Sequence, residues 1–159
     1  MRAHFVAALL LTTPAIAQPA APAAAENTFQ FLDNHEIQQR ISTPENGRVF
    51  GTAVVTDHHE KNYYVEFVKR LDHGNQVEVH PEWIDQVLVT AGEGVLTYGG
   101  RVINGTDTGH GEVRGESQAG AQTRKLAPGD YVVIPTNLPH KFDAARGKSL
   151  TYVIFKVHS

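Results

Sequence analysis

From Val49 to the end of the chain, short runs of β-branched and aromatic residues are cut off at regular intervals by turn residues. That pattern predicts an all-β sandwich or barrel and little else. Runs at 49–56, 63–71, 75–80, 86–91, 94–98, 101–104, 111–117, 121–126, 131–135, 138–143 and 149–157 have strand length. Between them lie turn formers such as Asp72-His73-Gly74-Asn75, Gly92-Glu93-Gly94, Gly99-Gly100 and Pro128-Gly129-Asp130. No part of this region keeps a helical period or a repeat of fixed length. The polar, glycine-rich stretch at 104–111 is expected to be a loop, placed where it could move over a site.

The first residues carry a different signal. Arg2 and His4 make a short basic start, Phe5 to Leu11 an apolar run, and Ala15-Ile16-Ala17 a small-residue cleavage site. Together they predict a secretory signal peptide over 1–17, and the apolar run is far shorter than the roughly 20 residues of a membrane span. A Pro/Ala-rich linker is expected at 18–27, followed by one domain over 28–159. The mature protein is therefore expected in the periplasm or outside the cell, with no membrane partner. One short helix is expected near the domain's start, because Asp33 and Glu36 have capping-box spacing and Leu32, Ile37 and Ile41 supply an apolar edge. Pro44 and Gly47 would end it.

Composition narrows the chemistry. The 159 residues contain no cysteine, which excludes disulfides, thiolate metal sites and a thiol nucleophile. Any bound metal must be held by nitrogen and oxygen. The formal charge is −3 and no basic run could follow a phosphate backbone, so nucleic acid is not an expected partner.

Two stretches carry the chemistry. In Pro128-Gly129-Asp130-Tyr131-Val132-Val133-Ile134-Pro135-Thr136-Asn137-Leu138-Pro139-His140, a tight turn leads into a strand, Pro135 ends it, and His140 opens the next strand facing back across a barrel. Upstream, Glu78 and His80 share one strand parity, Asp85, Val87 and Val89 share another, and Gly92-Glu93-Gly94 closes the run.

These stretches resemble the two sequence motifs of the cupins. Gly129, Pro135 and His140 match the second motif in identity and spacing, while Asn137 replaces its second Gly and Ala144 its final Asn. Asn can take the left-handed conformation that Gly would supply. In the first motif His80 is the second His, Asp85 stands for the Glu, and Glu78 stands where the first His belongs. A second register makes His80 the first His, Glu82 the second and Gln86 the Glu. The resemblance covers about residues 49–157. It implies a double-stranded β-helix, or jelly-roll barrel, around a single divalent metal; fold analogy alone implies no reaction.

On these ligand types Glu78, His80, Asp85 and His140 are the candidate metal residues, with Asp85 a fourth ligand or a catalytic base. Two imidazoles and a carboxylate suit Fe(II), Mn(II), Ni(II) or Zn(II). The expected function is a metal-dependent enzyme of oxygenase or lyase type acting on a small oxygenated molecule. The alternative is a metal-free ligand-binding cupin in which Glu78 and the histidines only hydrogen-bond. Two carboxylates beside a divalent ion would make a neutral centre, better suited to a neutral substrate. A homodimer is possible through an exposed sheet edge.

Lesser candidates have ordinary explanations. His58-His59-Glu60 reads as a hairpin tip, and His73, His110 and His158 as solvated surface. Glu112 and Arg114 share a strand face, where they could orient a polar substrate, although a surface ion pair is the ordinary reading. Trp83 is expected in a loop beside the site as a cavity wall, and Tyr64 and Tyr152 are acid–base candidates if they face inward.

Overall fold

The structure is a computed structural model that describes residues 31–42, 50–58, 63–109 and 112–159, the strand at 50–58 by its backbone alone. The expected signal peptide and linker, and His59, Glu60 and His110, lie outside the described residues.

Helix α1 (Asn34–Ser42) starts where the capping box places it. The Asp33 carboxylate accepts a hydrogen bond from the Glu36 backbone N–H at 2.8 Å, which satisfies one orphan donor of the first turn. Ile41 is the helix's buried residue, and α1 packs against the first two strands.

Thirteen strands follow: β1 (Phe50–His58), β2 (Tyr63–Leu71), β3 (Val77–Val79), β4 (Trp83–Gly92), β5 (Gly94–Tyr98), β6 (Arg101–Ile103), β7 (Thr106–Gly109), β8 (Glu112–Gly115), β9 (Ser117–Ala119), β10 (Gln122–Leu126), β11 (Tyr131–Ile134), β12 (His140–Ala144) and β13 (Ser149–His158). All pair antiparallel, in a five-stranded sheet ordered β1-β2-β13-β4-β11 and a six-stranded sheet ordered β10-β5-β12-β3-β8-β7, with β6 and β9 forming a short ribbon. This is the expected all-β jelly roll.

Three expectations need correction. The stretch 104–111 is not simply a loop, because β7 lies within it and pairs with β8 from Thr106 to Gly109. Short polar residues hid a strand that is exposed along its whole length. Trp83 is not in a loop either: it opens β4, is buried, and meets the Tyr64 and His158 rings edge-on at 5.7 and 5.2 Å. His158 therefore packs on Trp83 rather than standing free in solvent.

Alternation decides what fills the barrel. On β4 the residues Trp83, Asp85, Val87 and Val89 are buried, and on β13 so are Leu150, Tyr152, Ile154 and Lys156. Val87, Val89, Leu150, Tyr152 and Ile154 join Val68, Leu96, Leu126, Ile134 and Phe142 in one apolar core. Each fully buried aliphatic side chain there contributes about 1.5–3 kcal/mol. Because β4 and β13 run antiparallel, the start of one and the end of the other meet, bringing Asp85 opposite Lys156 at one end of the core.

Two turns fix the ends of the site strands. Asn137 adopts φ +62°, and its N–H donates to the His80 carbonyl at 3.0 Å, so the turn before His140 is tied to the backbone of the other histidine. At Gly92 φ is +80°, and a Cβ there would lie 1.9 Å from the Ser149 carbonyl oxygen. Only glycine lets β4 and β13 approach this closely.

Candidate metal centre

Two rows of directly opposed residues build the site, one from each sheet. In the five-stranded sheet Tyr64, Lys156, Asp85 and Ile134 stand side by side on β2, β13, β4 and β11. In the six-stranded sheet the row is Tyr98, His140, Glu78 and Arg114 on β5, β12, β3 and β8. Directly opposed residues share a face, so each row presents its side chains to the other across the barrel. His80 follows β3 and enters from the side, its ring 5.3 Å from that of His140.

All four sequence candidates are buried, and one ligand atom each from Glu78, His80 and His140 lie within 4.8 Å of one another. Asp85 Oδ2 is 3.5 Å from His80 Nε2 and 3.4 Å from His140 Nε2, and Glu78 Oε2 is 3.7 Å from His80 Nε2. The alternative register does not assemble. Glu82 is exposed near His158, and Gln86 lies on the outer face, accepting a hydrogen bond from the Tyr131 hydroxyl at 2.7 Å.

Three buried or half-buried cations surround these groups. Arg70 Nη2 and Arg114 Nη1 both donate to Glu78 Oε1 at 3.1 Å. Arg114 also grips Glu112 through two hydrogen bonds of 3.0 and 2.8 Å. Glu112 and Arg114 are thus not a surface pair but part of the site, since Glu112 Oε1 also lies 3.8 Å from His80 Nδ1. Lys156 Nζ lies 2.6 Å from His80 Nε2 and 3.1 Å from Asp85 Oδ1.

Arg70 and Lys156 are the residues that the motifs do not reveal. The signal for Lys156 is a lysine at the inward parity of an apolar strand, in line with Tyr152 and Ile154; Arg70 shares parity with buried Val68. Such positions cost too much to charge unless an acid waits opposite.

The cations govern the carboxylates. Burial disfavours ionising Glu78, but the Arg70 guanidinium, the His80 ring and Arg114 outweigh it and hold the carboxyl well below the usual range. Burial likewise opposes the Asp85 charge, and the His140 ring, Lys156 and His80 overcome it, so its value is also lowered. The tyrosines are not free bases. Tyr152 is pushed up to about 12 by burial, with its hydroxyl accepting from Arg70 Nε at 2.9 Å. Burial and the nearby carboxylates of Glu66, Asp85, Glu112 and Glu78 drive the Tyr64 phenol above its ordinary value.

No family model and no curated protein matches the chain. Solved structures do. Peruvianin-I, described as a cysteine peptidase from Thevetia peruviana latex, is 18% identical with a TM-score of 0.54, the alignment covering 87% of this chain and 77% of that one. The cupin domain of Schizosaccharomyces pombe Cnp3 is 10% identical with a TM-score of 0.50, covering 69% and 64%. The chain has the cupin fold. The polyketide cyclase RemF from Streptomyces resistomycificus is 17% identical over 67% of this chain and 63% of that one, with a TM-score of 0.46. This chain thus spans just under two thirds of the RemF and Cnp3 chains. The peptidase description cannot extend to it through a thiol, because it has no cysteine.

The cupin resemblance implies a metal, and the donor atoms accommodate one. Glu78, His80 and His140 each bring one ligand atom within 4.8 Å of the others, and Asp85 Oδ2 lies 3.5 and 3.4 Å from the two histidine Nε2 atoms, near the separation of neighbouring nitrogen and oxygen ligands bonded at about 2.0–2.2 Å. His140 Nδ1 lies 3.0 Å from the Leu138 carbonyl, an outer-shell contact that leaves Nε2 facing the site. That Nε2 and both Asp85 oxygens are buried without a hydrogen-bond partner. One charge expectation changes. Counting only two carboxylates made a loaded centre neutral, but Glu78, Asp85 and Glu112 are already matched by Arg70, Arg114 and Lys156. A divalent ion would leave the site positive, which favours an anionic substrate.

Proposed function

We propose that the chain is an exported metal-dependent enzyme of lyase or oxygenase type, acting on a small oxygenated organic anion. One observation carries the metal assignment: His140 Nε2 and Asp85 Oδ2 face each other at 3.4 Å, both buried, with no hydrogen bond to either. A divalent ion bound between the ring nitrogen and the carboxylate would satisfy both. The basic start, apolar run and Ala15-Ile16-Ala17 site support export.

His80 and His140 through Nε2, and Asp85 through Oδ2, would hold the ion, with Glu78 Oε2 as the fourth donor. The metal, when bound, supplies Lewis acidity to a substrate oxygen. The chain's own residues do the rest. Glu112 and Arg114, with side chains 22% and 27% exposed, are the most open charged members of the cluster, so substrate enters beside β8. Arg114 meets its carboxylate there, and Tyr64, protonated at neutral pH, can donate a hydrogen bond from the five-stranded sheet. The apolar wall of Phe142, Ile134 and Tyr152 closes the inner end against water.

Metal analysis of mature protein purified without chelator tests the assignment. About one ion per chain is expected for a single site; none after reconstitution with Fe(II), Mn(II), Ni(II) and Zn(II) would overturn it. One observation favours a metal-free ligand site instead, the contact of Lys156 with His80 Nε2 at 2.6 Å. In that case a chelator would leave the melting temperature unchanged.

A further inference from the structure

We propose that Lys156 is a tethered cation that competes with the metal ion for His80, and so sets how tightly the site holds metal. The inference rests on the metal assignment above and adds to it a residue outside the cupin motifs. His80 Nε2 has one lone pair. An ammonium 2.6 Å away takes that lone pair as a hydrogen-bond acceptor, while a metal bonded at about 2.0–2.1 Å would take it as a ligand. Both cannot hold it together.

The fold makes this competition local. Lys156 and Asp85 are directly opposed on β13 and β4, so the ammonium cannot leave the site without abandoning a buried carboxylate. It can, however, let go of His80 and keep Asp85 Oδ1, from which it stands 3.1 Å. Asp85 would then keep Oδ1 for the lysine and have Oδ2 free to hold the ion. On the His140 side, Nε2 has no hydrogen-bond partner among the described residues. Metal entry therefore exchanges one cation for another at His80 and adds a new bond at His140.

Removing the lysine should tighten metal binding rather than loosen it, which a merely structural role would not do. The experiment titrates Zn(II) into metal-stripped protein by calorimetry, comparing wild type with Lys156→Met and Lys156→Gln. Folding of each variant is checked by circular dichroism, and Lys156→Gln serves if Lys156→Met does not fold. Affinity higher by about ten-fold or more in either folded variant supports the proposal, a change on the scale that outer-shell partners exert. One-to-one binding by wild type with equal or weaker binding by the variants would overturn it and leave the metal assignment standing. No binding by wild type or variants would overturn both. Combining His80→Ala with the lysine change should abolish the gain, because the contested ring nitrogen is gone, whereas a gain that survives would overturn the proposal.

Discussion

His140 Nε2 and Asp85 Oδ2 stand 3.4 Å apart in the barrel interior, one on each sheet, and neither makes a hydrogen bond. With Nδ1 directed at the Leu138 carbonyl, Nε2 is the ring nitrogen left to face the carboxylate. His140→Ala and Asp85→Asn should each weaken Zn(II) binding more than about 100-fold, beyond what an outer-shell change does. Calorimetry reads the affinity, and unchanged far-ultraviolet circular dichroism would show that the barrel persists. Undiminished affinity in both variants would remove these residues from the ligand set.

Glu78 depends on two guanidinium groups, and their burial separates them. The Arg70 side chain is 7% exposed and also serves the Tyr152 hydroxyl, whereas Arg114 is 27% exposed and can be replaced in part by water. Arg70→Met should cost about 3–5 kcal/mol in urea unfolding, because it strands a buried carboxylate. Arg114→Met should cost clearly less. Adding Glu78→Leu to Arg70→Met should recover much of the loss, since a buried pair replaced by apolar groups is often neutral. Equal losses for the two arginines would contradict this assignment.

The motifs made the polar centre legible and left two of its three cations, Arg70 and Lys156, invisible. Glu78, His80, Asp85 and His140 could be placed because strand parity and the Gly92 and Gly129 turns fix their facing. The Asn137 turn could be anticipated too, as its positive φ bears out. Arg70 and Lys156 could not, because partners 8 and 71 residues away in the chain decide whether a charge on an apolar strand turns inward. The missed strand β7 has the converse cause: exposed polar residues give no alternation when neither face is buried.

Acid should weaken the fold through Glu78. Its carboxyl is held well below the ordinary range when folded, so its stabilisation is complete above the unfolded value of about 4.3 and is lost as pH falls through the folded value. Asp85, also lowered, acts in the same direction. The urea midpoint should therefore fall between pH 5 and pH 3, about the unfolded carboxylate values. Glu78→Gln, weaker overall, should show a flatter slope there. A slope unchanged by this variant would assign the acid sensitivity to other groups.

Glycines at positive φ should differ sharply in their tolerance of alanine. At Gly92 the added Cβ meets the Ser149 carbonyl oxygen at 1.9 Å, backbone against backbone, so β4 and β13 would have to part. At Gly120, with φ +73°, the same atom meets nothing within 4 Å. Gly120→Ala should cost about 1–2 kcal/mol for the left-handed conformation alone. Gly92→Ala should cost several times that, or yield no folded protein, as thermal melts would show.

Exposed apolar residues on the five-stranded sheet lead to a prediction about assembly. Tyr131 and Val133 are 56% and 55% exposed on edge strand β11, and Leu88, Phe155 and Val157 continue the patch across β4 and β13. The register joins them: Val133, Gln86 and Phe155 form one row, and Tyr131 and Leu88 lie in the next. Helix α1 packs at the other side of this sheet, on β1 and β2, so it does not cover the row. An edge strand with large apolar side chains and no further strand beside it among the described residues is an invitation to pair, and a second copy offers the same surface by symmetry. Light scattering over a dilution series should show a dimer, and Val133→Lys with Phe155→Lys should convert it to a monomer. If these residues lay on a free surface, the two changes would each alter stability by no more than about 0.5 kcal/mol and leave the mass unchanged. A wild-type chain that stays monomeric at every concentration would exclude the homodimer and leave the interior site as assigned.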